Sequence, residues 1–119
     1  MLGDPRMDRL MRLMDVAVTK AHVHAANLAN QNTPGYRAKA VAFDQAFQAA
    51  LAQGDGAGAA QVEAKIYEPR ETAVSVDGND VDPDREILAS ADNSTKYSTY
   101  VAIMRGKAQL FNTAISPSP

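Results

Sequence analysis

Ala25-Ala26-Asn27-Leu28-Ala29-Asn30-Gln31-Asn32-Thr33-Pro34-Gly35-Tyr36 is a helical run rich in small residues that stops abruptly at its last four. The stop has a physical cause. Proline disfavours helical geometry at the residue before it and lacks a backbone donor, and the glycine that follows takes positive φ without steric cost. Pro34-Gly35 therefore reads as the central pair of a type II turn. Asn27, Asn30 and Asn32 are poor residues for a helix interior, but their amides can satisfy orphan carbonyls and donors near a helix end and in the turn beyond it. The stretch predicts a helix terminus built for a particular packed geometry.

Toward the N-terminus, Asp4-Pro5 is a helix start, with aspartate at the cap and proline at the first helical position, where its missing donor costs nothing. Met7, Met14, Ala21 and Leu28 then recur every seven residues, with Leu10, Ala17 and His24 between them at offset three. That repeat suits a long helix in a coiled-coil-like seam. From Pro5 to about Gln31 such a helix spans roughly 40 Å. Ala17, Ala21, Ala25 and Ala29 set small side chains along one side, open to close approach by another helix. The methionine stripe is read as ordinary core.

Toward the C-terminus, Phe43, Ala46, Phe47, Ala50 and Leu51 recur at helical spacing and predict a short amphipathic helix over Ala42 to Ala52. Gln53-Gly54-Asp55-Gly56-Ala57-Gly58 is too glycine-dense to stay helical and predicts a flexible loop. Val62, Ala64 and Ile66 alternate, as do Val74 and Val76, which suggests two short strands or extended segments that could pair as a hairpin. Asp77-Gly78-Asn79 is another turn, and Asp82-Pro83 repeats the cap-and-proline start. A second long helix of roughly 50 Å then runs to about Ile115. Its apolar stripe is Ile87, Ala91, Ser94, Tyr97, Val101, Met104, Ala108, Phe111 and Ile115, spaced by threes and fours. Thr95, Thr99, Ala102 and Gly106 form a small-residue track on a different face, where Gly106 suggests a tight helix contact. Ser116-Pro117-Ser118-Pro119 reads as a frayed tail.

The expected fold is mainly α: two long terminal helices packed coiled-coil-like, with a short helix and an irregular or short β segment between. Residues 1–36 form the N-terminal helix and turn, 37–82 the middle segment and 83–119 the C-terminal helix and tail, together one domain. The 119 residues are 45% hydrophobic, but alanine supplies much of that, tryptophan is absent and aromatics reach only 6%, so a private core would be thin. Net charge is −2 with dispersed basic residues, which argues against nucleic acid as a partner. No run approaches the ~18 apolar residues of a membrane span, and the N-terminus has no secretory-type hydrophobic segment. The absence of cysteine removes disulfides, thiolate nucleophiles and zinc-thiolate sites.

Chemistry was sought in the remaining polar groups. His22 and His24 are two apart and project on different faces of a helix, so they form no i, i+4 metal pair. An EF-hand loop starting at Asp80 would need glycine at Arg85 and glutamate at Ala91. The acidic run Asp77, Asp80, Asp82, Asp84, Glu86 is explained instead by a turn and a helix N-terminus that favours negative charge. Asn93-Ser94-Thr95 matches a glycosylation sequon but lies within a predicted helix. No nucleophile grouping, phosphate loop or cofactor fingerprint is present; the reading is non-enzymatic, with no catalytic residue, cofactor or metal.

The motif A-N-L-A-N-x-N-T-P-G-Y, through Asn27, Asn30, Thr33, Pro34, Gly35 and Tyr36, resembles the N-terminal signature of the bacterial flagellar axial proteins, the rod, hook and hook-junction subunits. A second motif comprises Asp77, Gly78, Asn79, Val81, Asp82, then Asp84 and Glu86, then Asp92, Asn93, Lys96 and Tyr97. It resembles the C-terminal half of the B-type proximal rod subunits of the basal body. The likeness covers nearly the whole chain and is weakest from about Gln53 to Thr72. The resemblance implies a structural subunit of the periplasm-spanning rod, the drive shaft of motility. It implies passage through the flagellar type III export machinery without a cleaved signal peptide. The implied partners are copies of the chain, other flagellar rod proteins and basal-body ring or export-gate components. The first motif is expected to lock subunit to subunit, and Met7, Leu10, Met14, Ala17, Ala21, Leu28, Val101, Met104, Ala108, Phe111 and Ile115 to form the helix seam. A rival reading is a soluble helical-hairpin binding module, an adaptor or export chaperone using the same stripes.

Overall fold

Both long helices begin where an aspartate and a proline meet. In a computed structural model that describes residues 4–115, the Asp4 carboxylate accepts from the Arg6 backbone N–H at 2.9 Å and caps α1, Pro5–Ala29. Asp82 likewise accepts from the Arg85 N–H at 3.3 Å at the head of α4, Pro83–Ile115, with Asp84 and Glu86 in the first turn. Between them lie β1, Ala40–Ala42, α2, Asp44–Ala52, α3, Gly56–Ala59, and β2, Lys65–Tyr67. The fold is mainly helical, as expected. The proposed tail Ser116–Pro119 lies outside the described residues.

α1 and α4 run antiparallel. His24 near the end of α1 meets Glu86 near the start of α4 at 2.7 Å, Asn93 donates to the Ala17 carbonyl at 2.8 Å, and Met14 and Met104 line one hollow. α4 has 33 residues against 25 in α1, about 12 Å of extra helix at ~1.5 Å per residue. The excess falls at its C-terminal end. Of the expected seam, Met7, Leu10 and Ala17 are buried, and Met14, Leu28, Val101, Met104 and Ala108 are half-buried. Three seam positions are not covered within the chain. Ala21 is exposed because the heptad register drawn from Met7 runs to one side of the true interior, and Phe111 and Ile115 are exposed because α1 ends before it reaches them. The first half of the predicted α4 stripe, Ile87, Ala91, Ser94 and Tyr97, is also exposed.

The interior that the heptads missed lies between α1 and the middle segment. Val16, Phe43, Phe47 and Ala59 form the core, with Leu13, Val41, Ala50, Val62 and Ala64 packed against it. Phe43 and Phe47 stack at 5.2 Å between ring centroids. Arg12 donates to the Ala60 carbonyl at 2.9 Å, and Lys20 pairs with Asp44 at 3.0 Å, tying the layer to α1. β1 pairs antiparallel with β2, Ala40 opposite Tyr67 and Ala42 opposite Lys65.

Four expectations about this region are corrected. Ala40-Val41-Ala42 is strand, so α2 starts at Asp44 rather than Ala42. The glycine-rich run contains a single helical turn, α3, because Asp55 caps it by accepting from the Gly58 N–H at 2.7 Å. Val74 and Val76 form no strand, and β2 pairs with β1 instead of making a local hairpin. A side-chain carbon added at Gly106 would meet nothing within 4 Å, so the tight helix contact expected there is not made inside the chain. The whole molecule is a flat bar with extents of 68 × 33 × 16 Å.

Candidate assembly site

The Pro34-Gly35 turn forms as its residues dictate. The Tyr36 N–H donates to the Thr33 carbonyl at 3.2 Å, and Gly35 takes φ +74°, the type II geometry. Upstream, the Asn30 amide donates to the Ala26 carbonyl at 2.8 Å, reinforcing the bond that the Asn30 backbone N–H makes to the same oxygen at 3.1 Å. Asn30 also accepts from the Thr33 hydroxyl at 3.0 Å, so helix end and turn are joined through one amide.

Asn27 does something different. It is fully buried, donates to the Lys39 carbonyl at 2.8 Å, and accepts from the Lys39 N–H at 3.0 Å and the Tyr36 hydroxyl at 3.1 Å. Its amide pairs with a peptide unit as a neighbouring strand would, fixing the chain that leaves the turn against α1. The Lys39 ammonium lies 4.9 Å from the centroid of the Tyr36 ring and covers the joint.

The second motif closes on the first. The buried Asn79 amide donates to the carbonyls of Asn30 and Thr33, both at 2.8 Å, and accepts from the Val81 N–H at 2.8 Å. The Gly35 N–H donates to the Asp77 carbonyl at 2.8 Å. Gly78 sits at φ +85°, and a Cβ there would lie 3.3 Å from the Gly35 Cα, so glycine serves both conformation and approach. Asp80, 1% exposed, accepts from the Ala38 N–H at 2.6 Å and pairs with Arg37 at 3.3 Å. The Thr72 hydroxyl and the Ser75 backbone N–H hold the far side of this loop through the Asp80 and Asn79 carbonyls. Ser75 also donates to Asp77, which with the Asn79 N–H stabilises the charged carboxylate and lowers the Asp77 pKa. Among the described residues no buried side-chain N or O lacks a hydrogen-bond partner.

The two sequence motifs thus meet in one chain. Asp77, Gly78, Asn79 and Val81 join Asn27, Asn30, Thr33, Gly35 and Tyr36 in a single polar clasp. Asp82 caps α4, and Glu86 and Asn93 attach α4 to α1. Asp92 and Lys96 form an i, i+4 pair at 3.0 Å that raises the Lys96 pKa, and Tyr97 stays exposed. Thr33, Pro34 and Gly35 are exposed at the tip of the turn, so they, rather than Asn27, can reach a neighbouring molecule. Sequence reading did not assign Arg37, Lys39 and Thr72 to the site, and it took Asp80 only as part of an acidic run. Lys39 and Thr72 take part mainly through groups that no motif marks. Among the described residues no three His, Asp or Glu side chains come together as metal ligands, and no helix is long and apolar enough to cross a membrane.

No family model matches the chain. Among curated proteins, the flagellar basal body rod protein FlgB of Yersinia ruckeri is 31% identical to it over an alignment of 123 positions, gaps included, that covers 86% of this chain and 90% of that protein. The protein of the same name from Yersinia enterocolitica is 28% identical over 86% of this chain and 90% of its own length. That of Salmonella typhimurium is 28% identical over 83% and 87%.

Proposed function

The chain belongs to the family of the flagellar basal body rod protein FlgB, and from that premise we propose how it serves as a structural subunit of the proximal rod. The clasp between residues 27–39 and 77–80 sets the angle between the two terminal helices. The helices then pack against neighbouring subunits, the middle segment faces outward, and the tip of the Thr33-Pro34-Gly35 turn touches the next subunit. The protein associates with other rod components of the basal body. Ring and export-gate components and the type III export machinery complete its partners, and it reaches the periplasm without a cleaved signal peptide. It carries no catalytic activity and acts by transmitting torque.

The observation that carries this reading is that the apolar stripe of α4 outruns its intramolecular partner, leaving Phe111 and Ile115 exposed. Full burial of such a side chain is worth about 1.5–3 kcal/mol, so the molecule gains by association. Asymmetric patches of this kind give head-to-tail contacts that build open helical assemblies. A soluble hairpin adaptor or chaperone is not favoured by the relatives. Circular dichroism with light scattering over a concentration series separates the two: a subunit polymerises as concentration rises, whereas an adaptor stays monomeric or a closed dimer. In cells, Asn30→Ala or Gly35→Val should abolish swimming while leaving synthesis intact. Normal motility of both strains would count against the assembly role of the turn.

A further inference from the structure

We propose that the last two turns of α4, Ala108–Ile115, seat on the exposed face of α1 around Met11 and Val18 in a second copy of this chain; the inference rests on the rod-subunit reading above. On α4, Tyr97, Val101, Met104, Ala108, Phe111 and Ile115 continue by threes and fours the same face that Asn93 turns toward Ala17. That face meets α1 at Asn93 and is half-buried at Val101 and Met104. Beyond it the spacing persists and α1 does not, so Phe111 and Ile115 are 45% and 61% exposed. What packs on this face within the chain is an antiparallel α1, and the continuation suits the same kind of occupant.

A second α1 offers a matching surface. Met11 and Val18 are seven residues apart on one face and are 55% and 43% exposed. Val18 lies about 200° around the helix from Val16, which the middle segment covers, and borders α4 beside Tyr97, while Met11 lies by Ala60 and Gln61 at the edge of the middle segment. Beside it Met11, Met14 and Met104 line a hollow of about 610 Å³, with Asp8, Arg12 and Asp15 at its rim. Methionines adapt their shape to an incoming aromatic ring. Residues 108–115 are uncharged; of the charges around the hollow, Arg12 and Asp15 lie 3.9 Å apart and offset each other, and Asp8 is exposed to solvent. Every copy carries both halves of the contact on different surfaces, and a contact of that type propagates from copy to copy.

The chain has no cysteine, which makes thiol cross-linking a direct test on the full-length protein. Oxidising the double variant Met11→Cys/Phe111→Cys should give a ladder of dimers, trimers and higher species. Mixing the two single variants should give one mixed dimer, and each single variant alone little product. Leu110→Cys, about 100° around the helix from Phe111, should replace Phe111→Cys poorly. Because all three positions are exposed, circular dichroism should be unchanged. Phe111→Asp should raise the critical concentration for polymerisation about tenfold or more. If the wild type polymerises without the ladder, or with cross-links only between two Phe111→Cys residues, this contact is wrong and rod assembly stands. If the wild type stays monomeric at every concentration, both fall.

Discussion

Asn27 uses both ends of its amide on the backbone of Lys39 and takes the Tyr36 hydroxyl besides, all without contact to solvent. Truncating it leaves the part-buried N–H and carbonyl of Lys39 without their partner, each worth ~1–3 kcal/mol at most when left unpaired. Asn27→Ala should therefore lower unfolding stability by about 2–4 kcal/mol in a urea titration, and Asn30→Ala, whose carbonyl partner is exposed, by clearly less. Asp77 supplies a pH dependence. Its bonds from Ser75 and the Asn79 N–H hold its folded pKa below the ordinary 3.8. The stability it contributes is therefore present above that value and lost as pH falls through the lower folded value. Acid titration of Asp77→Asn should show a shallower loss of stability over that interval than the wild type. At this scale the sequence was legible where chemistry is local. Thr33-Pro34-Gly35-Tyr36 announces its own turn, and Asn30 bonds four residues back. Asn27 was recognised as a misfit in a helix, but its partner at Lys39 depends on the path of the chain after the turn.

The long helices were legible because capping and 3.6-residue periodicity are written within each. α4 spans Pro83–Ile115, the predicted limits, and α1 ends two residues before Gln31. The buried face of α1 was less so. Two stripes share that helix, one toward α4 and one toward the middle segment, and only the heptad with methionines was read, so Val16 and Val23 were missed. β1 and β2 pair across more than twenty residues in three-residue strands, too short for alternation to declare them. Gly106 is a test at this scale. Since nothing lies within 4 Å of an added Cβ, Gly106→Ala should stabilise the isolated chain by about 1 kcal/mol through helix propensity alone, read as a higher denaturation midpoint. If the same variant assembles poorly, the glycine serves a neighbour.

At the scale of the molecule, the two motifs that flank the middle segment fasten to each other, while that segment's own fastenings to α1 are the small Phe43–Ala59 core, Arg12 and Lys20. A protein held this way at both feet of an excursion leaves the excursion's length almost free. Doubling a flexible loop costs only about 0.6 kcal/mol, and Gln53 and Gly54 are exposed, with Gly54 already at positive φ and open space around it. A ten-residue Gly/Ser insert after Gly54 should leave the thermal midpoint nearly unchanged by circular dichroism, whereas the same insert after Thr33 should unfold the chain. The bar thus resembles a standard mount with an exchangeable cassette: evolution or an engineer can resize the decoration while the two pillars stay joined by the clasp and by their own contacts at His24–Glu86 and Ala17–Asn93.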